Sequence, residues 1–255
     1  MSGASRLRGF LTSVAGLALL FGGWELYVRL ADVRRLILPT PSSVFAHLGA
    51  EWSFYVPHAV TTLTEAAAGF VAALVIAVVW ATAMVHSSAV EKASWPVVVL
   101  VQSTPVAALA PVLLIWFGFG PLNKIIIAAL FAFVPLVSNA LTGLRSLDRD
   151  TLEVARSVDA STAEIFWRLR VPQALPALFA AARICVGLAL VGAVVGELYG
   201  GASGGLGYLA RTGQTRGFVD QLWGSIFVLA GIGSVLTLAV IGLERRLLVW
   251  HASQD

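Results

Sequence analysis

Six stretches of this chain stay apolar for about twenty residues each: 10–28, 60–85, 96–116, 124–143, 174–196 and 222–243. A helix rising 1.5 Å per residue crosses about 30 Å of hydrocarbon in about 20 residues, so each is long enough to span a bilayer. In lipid the backbone must pair within its own segment, which predicts an all-α, polytopic membrane protein of about six transmembrane helices. The composition agrees. Of the 255 residues 58% are hydrophobic and 12% charged, and the mean hydropathy is +0.86. A soluble globule, a disordered chain and a disulfide scaffold are excluded, and membrane lipid is the first partner. The net charge of +3 rests on scattered basic residues, so no nucleic-acid surface is expected. The single cysteine, Cys185, lies inside an apolar run, and no metal-ligand cluster is legible.

The first run follows Arg6 and Arg8, as in a signal peptide, but Glu25–Arg29 follows it with no small-residue cleavage site, so it is read as an uncleaved span. We place an N-terminal span and external connector at 1–58 and a core at 59–255. In the connector, Ser42 and Ser43 are N-cap candidates for a short helix. Six spans put both termini on one side. That side carries ten basic residues: Arg6, Arg8, Lys92, Arg145, Arg149, Arg156, Arg168, Arg170, Arg245 and Arg246. The other side carries six: Arg29, Arg34, Arg35, Lys124, Arg211 and Arg216. The bias predicts cytoplasmic termini and a cytoplasmic 145–173 loop. Gly69, Ala73, Ala77 and Ala81, and likewise Gly192 and Gly196, recur every four positions, a spacing that lets helices approach closely in lipid.

The 145–173 loop is the most charged stretch. Asp150 with Glu153 and Ser161 with Glu164 fit two capping boxes, and Asp159 suits a left-handed turn between the helices they start. Pro172 is expected to end the second helix. Leu152, Ala155 and Val158 make one apolar stripe, and Ile165, Phe166 and Leu169 another. Such a pair either lies on the bilayer or docks a cytoplasmic partner.

Glu153-Val154-Ala155, Asp159 six residues after the Glu, and Leu169-x-Val171-Pro172 resemble the EAA loop of ABC importer permeases. Asp159 stands where that pattern has Gly. From Ile37 onward, Ile37–Ser42, Pro105–Asn123 and Gly201–Tyr208 are similar to the nitrate/sulfonate/taurine/bicarbonate-type subgroup, whose relatives also import vitamin precursors. The resemblance implies a type I ABC importer permease fold in a bacterial cytoplasmic (inner) membrane. It implies two permease subunits, two ABC ATPase subunits carrying ATP and Mg, and an extracytoplasmic binding protein delivering a small, anionic solute; two copies or two different permeases fit, and a homodimer is favoured because two-fold assemblies are commonest. It makes Leu152, Glu153, Val154, Ala155, Val158, Asp159, Leu169 and Pro172 the ATPase-coupling residues. The only lysines, Lys92 and Lys124, do not follow glycine, so the chain has no phosphate-cradling G-x-x-x-x-G-K loop; no cofactor is expected on it and no catalytic residue is assigned.

Two other classes have a foothold in the sequence. Gly201-Ala202-Ser203-Gly204 matches the G-x-S-G of rhomboid-like intramembrane serine proteases, but only His251, in the polar tail, follows Ser203. An ion-coupled carrier or channel would need intramembrane charge, and here such charge is sparse: Glu25 and Glu65, expected to snorkel to the interface, Arg183, and Glu197 at an external end. For the translocation pathway the candidates are Gln102, Ser103 and Thr104 beside Pro105, with Ser138 and Asn139 near Pro135. Polar residues in hydrocarbon must face water or protein. Arg183, nine residues into its span, is placed with them along the pathway; it needs a partner there, and a structural or gating role is favoured over contact with an anionic substrate.

Overall fold

The computed structural model describes residues 3–200 and 204–248, with side chains from residue 11 onward. Among them are eleven helices: α1 Gly3–Leu30, α2 Pro41–Ala50, α3 Trp52–His86, α4 Ser88–Ser103, α5 Val106–Phe117, α6 Pro121–Leu144, α7 Arg149–Ser157, α8 Thr162–Ile165, α9 Val171–Tyr199, α10 Leu206–Arg216 and α11 Val219–Leu247. Five continuous helical stretches are long and apolar enough to span. The expected span 96–116 is different: α4 and α5 meet at a bend of 97°. The cause is local. Pro105 supplies no N–H, and a residue before proline is driven out of the helical region, as Thr104 is with ψ 126°.

Two ion pairs fix the path of this broken segment. Arg145, just past α6, donates to Glu91 Oε1 at 2.8 Å near the start of α4. At the opposite end of the bundle, Lys124 in the first turns of α6 reaches Glu65 of α3 at 2.8 Å. The chain between α3 and α6 therefore starts at the end where α6 finishes and ends where α6 starts, so α4 and α5 together cross the bundle. Six crossings result, and both ends of the described chain lie at the end bearing residues 145–170.

The core forms where α6 is clasped by α3 and α9. Small residues make the clasp possible. A Cβ placed on Gly69 would lie 2.5 Å from Ala128 Cβ, and one on Gly192 would lie 2.6 Å from Ala128 Cα. Ala128 thus sits in a three-helix crossing that admits no larger side chain on either flank. Ala73, Ala77 and Ala81 continue the buried face of α3, as the four-residue spacing predicts. α1 and α11 are peripheral, joined by rings of Phe21, Trp24, Phe45, Trp223 and Phe227. The short helix α2 is capped by Thr40, which accepts the Ser43 N–H, and not by Ser42 or Ser43. Pro41 at its first position makes Thr40 the natural cap.

Candidate functional site

The 145–173 loop folds as a helix, a tight turn and a second helix. α7 is capped by Asp148, which accepts the Thr151 N–H at 3.3 Å, rather than by Asp150. Two aspartates within one turn both suit the position, and the earlier one takes it. Asp159 adopts φ +55°, the left-handed turn expected of it. The Ser161–Glu164 capping box is fully formed, with Glu164 N–H to Ser161 Oγ at 3.2 Å and Ser161 N–H to Glu164 Oε2 at 3.0 Å.

Two expectations fail here. Pro172 does not end the second helix. A π-helical turn over Phe166–Arg170 carries α8 into α9, so Thr162–Tyr199 is one helix of 38 residues. The wider turn changes the hydrogen-bond register just before the proline, which then stands in the first turn of α9, where a missing N–H costs little. The stripe of Leu152, Ala155 and Val158 is not an exposed ridge either. Ala155 is buried and Leu152 half-buried, turned toward Ile165 and Phe166 across a cavity of about 390 Å³ that Val85 and His86 of α3 also line. Val154, Val158 and Trp167 are exposed at 65%, 72% and 68%, and Glu153 lies beside them in the open. Leu169 and Pro172 are half-buried at the root of the loop. The exposed large apolar side chains of the loop are therefore Val154, Val158 and Trp167, and of these Trp167 is not among the residues that the loop pattern singles out.

Of the pathway candidates, Gln102 and Ser103 are exposed and Thr104 is half-buried at the α4–α5 elbow. Ser103 and Thr104 return their hydroxyl protons to Leu100 O or Val99 O. Ser138 and Asn139 are half-buried on α6, where Asn139 Nδ2 donates to Pro135 O at 2.9 Å. Arg183 has its partner in Glu244 of α11: Nε donates to Oε2 at 2.6 Å, and the carboxylate side chain is 6% exposed. Sixty-one positions separate the pair, so no local spacing announced it.

The opposite end of the bundle holds a cluster the sequence did not reveal. Glu65 does not snorkel: it is 4% exposed and paired with Lys124, itself 4% exposed. Glu25 lies at a rim and bonds Ser42 and Arg29. Glu197, 1% exposed, accepts from Thr62 Oγ1 and from the Gly207 N–H, both at 2.6 Å. The next donors of the same turn are also taken: Leu206 N–H by Thr62 Oγ1 at 2.8 Å, and Gly205 N–H by His58 Nδ1 at 3.1 Å. The first turn of α10 is thus capped by side chains of α3 and α9. Gly205 is required twice, because its φ is +96° and a Cβ there would fall on the Glu197 carboxyl group. Of the Gly201–Gly204 stretch, Gly201–Ser203 lie outside the described residues.

Comparison with known proteins identifies the family of the chain. Residues 69–248 match the family of binding-protein-dependent transport system inner membrane components. The chain is 32% identical over 232 residues to a formylaminopyrimidine transport permease of Halalkalibacterium halodurans, covering 91% of this chain and 92% of that one. It is 36% identical to a riboflavin transport system permease of Chloroflexus aurantiacus, over 93% and 89% of the two chains. It is 30% identical to the taurine transport system permease of Escherichia coli, over 94% and 89%. A match of this extent leaves neither the protease nor the ion-coupled carrier standing. The chain belongs to the inner-membrane components of binding-protein-dependent transport systems and is a permease subunit of an ABC importer.

Proposed function

We propose that this permease works as a homodimer above two ABC ATPase subunits, which hold the ATP and Mg, and receives a small, anionic solute from an extracytoplasmic binding protein. In this reading the 145–170 loop and both chain termini are cytoplasmic, and the outer ends of α3, α6 and α9 face the binding protein. Support comes from one observation above all. The capped, turned loop leaves Val154, Val158 and Trp167 exposed and runs without a break through the π-helical turn into a spanning helix. A subunit that grips such a loop moves the membrane domain with it.

The contact is carried by Val154, Val158 and Trp167, with Glu153 as the charge beside them. Val158→Glu is therefore expected to cut ATPase pull-down and uptake at least tenfold while the protein inserts normally. Asp159→Pro should do the same, because proline cannot take φ +55°. Retention of stoichiometric ATPase and full uptake in both variants rejects the proposed coupling. Orientation has its own test in a Cys185→Ser background. Ser157→Cys should resist a membrane-impermeant thiol reagent applied to intact cells, whereas Gln214→Cys should react; the reverse pattern overturns the topology.

Gln102, Ser103, Thr104, Ser138 and Asn139 line the translocation pathway in this proposal, and Arg183 braces it through Glu244. Gln102 is an exposed polar side chain at a proline-made elbow in a membrane segment, a position suited to water and solute. Gln102→Leu is expected to change uptake several-fold with assembly intact, as measured by binding-protein-dependent transport in vesicles. Unchanged uptake would place the route elsewhere.

A further inference from the structure

Arg156 lies on α7 and Arg170 closes the π-helical turn beyond Asp159, yet both line one cavity. It is the space of about 390 Å³ between the loop and the end of α3, within the range of small-molecule sites. The left-handed turn at Asp159 folds the second helix back toward the first. The π-helical turn then brings its first and last residues, Phe166 and Arg170, to the cavity together.

Charge in this cavity is unmatched. Neither guanidinium has a hydrogen bond or ion pair to any described residue. Other arginines at this end are matched: Arg145 to Glu91 and Arg168 to Glu164. No acid lines the space. Asp148 caps α7, Glu164 closes its own capping box, and Asp150, Glu153 and Asp159 are exposed outside the lining. His86 donates from Nδ1 to Thr82 O at 2.8 Å, and its ring packs on Phe166. The Thr162 hydroxyl, also in the lining, makes no bond to a described residue. Two cations and a hydroxyl donor thus share a space that holds no anion. Arg170 is half-buried, where water screens its charge less than at the open surface.

The position narrows the ligand. Val85 and His86 are the last residues of α3, a spanning helix, so the cavity lies where hydrocarbon gives way to headgroups. Val85, Leu152, Ile165 and Phe166 add an apolar wall beside the cations. Basic pockets at this depth suit anionic headgroups. We propose that the cavity binds a phosphate group between Arg156 and Arg170, carried by an anionic phospholipid or present as free phosphate. A guanidinium offers parallel N–H donors to two oxygens of one phosphate, and two guanidiniums hold it from opposite elements. Bound phosphate ties α7 to the root of α9 at the end of α3 and stiffens the loop. The site goes beyond the coupling proposed above, because it needs neither the ATPase contact nor a particular leaflet.

Native mass spectrometry of the purified permease–ATPase complex, titrated with short-chain phosphatidylglycerol, measures the site. The double variant Arg156→Gln with Arg170→Gln should weaken the tightest lipid binding by about tenfold or more. Lys92→Gln with Arg149→Gln removes equal charge at the same end of the bundle, from residues outside the lining, and should leave that binding unchanged. Diacylglycerol of the same chain length lacks the phosphate and should not displace the lipid. Inorganic phosphate separates the two sources. Displacement of the lipid by it assigns the site to the phosphate ion; arginine-dependent lipid binding that it does not displace assigns the site to the headgroup. Hydrogen exchange across the loop should slow on lipid binding in wild type and control, but not in the double variant. Equal lipid affinity in wild type and double variant, an equal loss in the control, or competition by diacylglycerol overturns the site. If the double variant does not assemble, Arg156→Gln and Arg170→Gln are read singly by the same criteria.

Discussion

Replacing Gly192 with valine is expected to leave almost no assembled permease in the membrane. Even the first carbon of the new side chain would stand 2.6 Å from Ala128 Cα and 3.0 Å from Ile127 O, both backbone atoms that cannot rotate away. Relief requires α9 and α6 to separate along the crossing that Gly69 closes from the α3 side. Overpacking of a core typically costs 1–3 kcal/mol, and a clash against backbone should reach about 3 kcal/mol or more. That is a large part of the stability of an ordinary domain, about 5–15 kcal/mol. Gly187→Val is the matched control, since Gly187 lies on the same helix with nothing within 4 Å of an added Cβ. Membrane-fraction immunoblots and size-exclusion profiles of the two variants decide the matter. Equal accumulation would mean that the α6–α9 crossing is looser than described.

Loss of Lys124 should be nearly as damaging, for an electrostatic reason. Lys124→Met keeps the stem that packs on Gly196 but removes the cation paired with Glu65. Breaking a buried pair by deleting one partner costs about 3–5 kcal/mol, because the other charge stays behind without solvent. The double variant Glu65→Gln with Lys124→Met should recover most of the loss, since it leaves one carboxylate with its Thr62 and Gly207 donors. Thermal melts of the solubilised single and double variants measure both effects. A deficit not rescued by Glu65→Gln would show that the Lys124 stem, and not its charge, matters.

Much of this could be read from local sequence because its physics is local. Span lengths, the four-residue rhythm of small residues, the Ser161–Glu164 box and the left-handed Asp159 all depend on neighbours a few positions apart. Misjudged features came from choices between equals or from distant partners. Asp148 and Asp150 compete for one cap, and spacing to Glu153 favoured the wrong one. The Pro105 elbow and the Pro172 pass-through use the same residue with opposite results. Thr104 bends because nothing re-registers the helix there, while a π-helical turn precedes Pro172. Glu65, Lys124 and Glu197 were legible only as three charges near span ends. Their burial depends on three helices closing around them, which no single segment encodes.

The helix from Thr162 to Tyr199 has a mechanical consequence. Its 38 residues reach about 57 Å at 1.5 Å per residue. One end is the 145–170 loop, and the other carries Glu197 and the junction with α10. Arg183, held to Glu244 of α11, lies close to the midpoint. A long rod pinned near its centre is a lever with a fulcrum. Tilting it by about 5° swings each tip by roughly 2.5 Å in opposite directions, given that length. A sideways displacement of the loop-bearing tip therefore becomes an opposite displacement of similar size at the far tip. Gain and sign are both set by where along the rod a single arginine was placed.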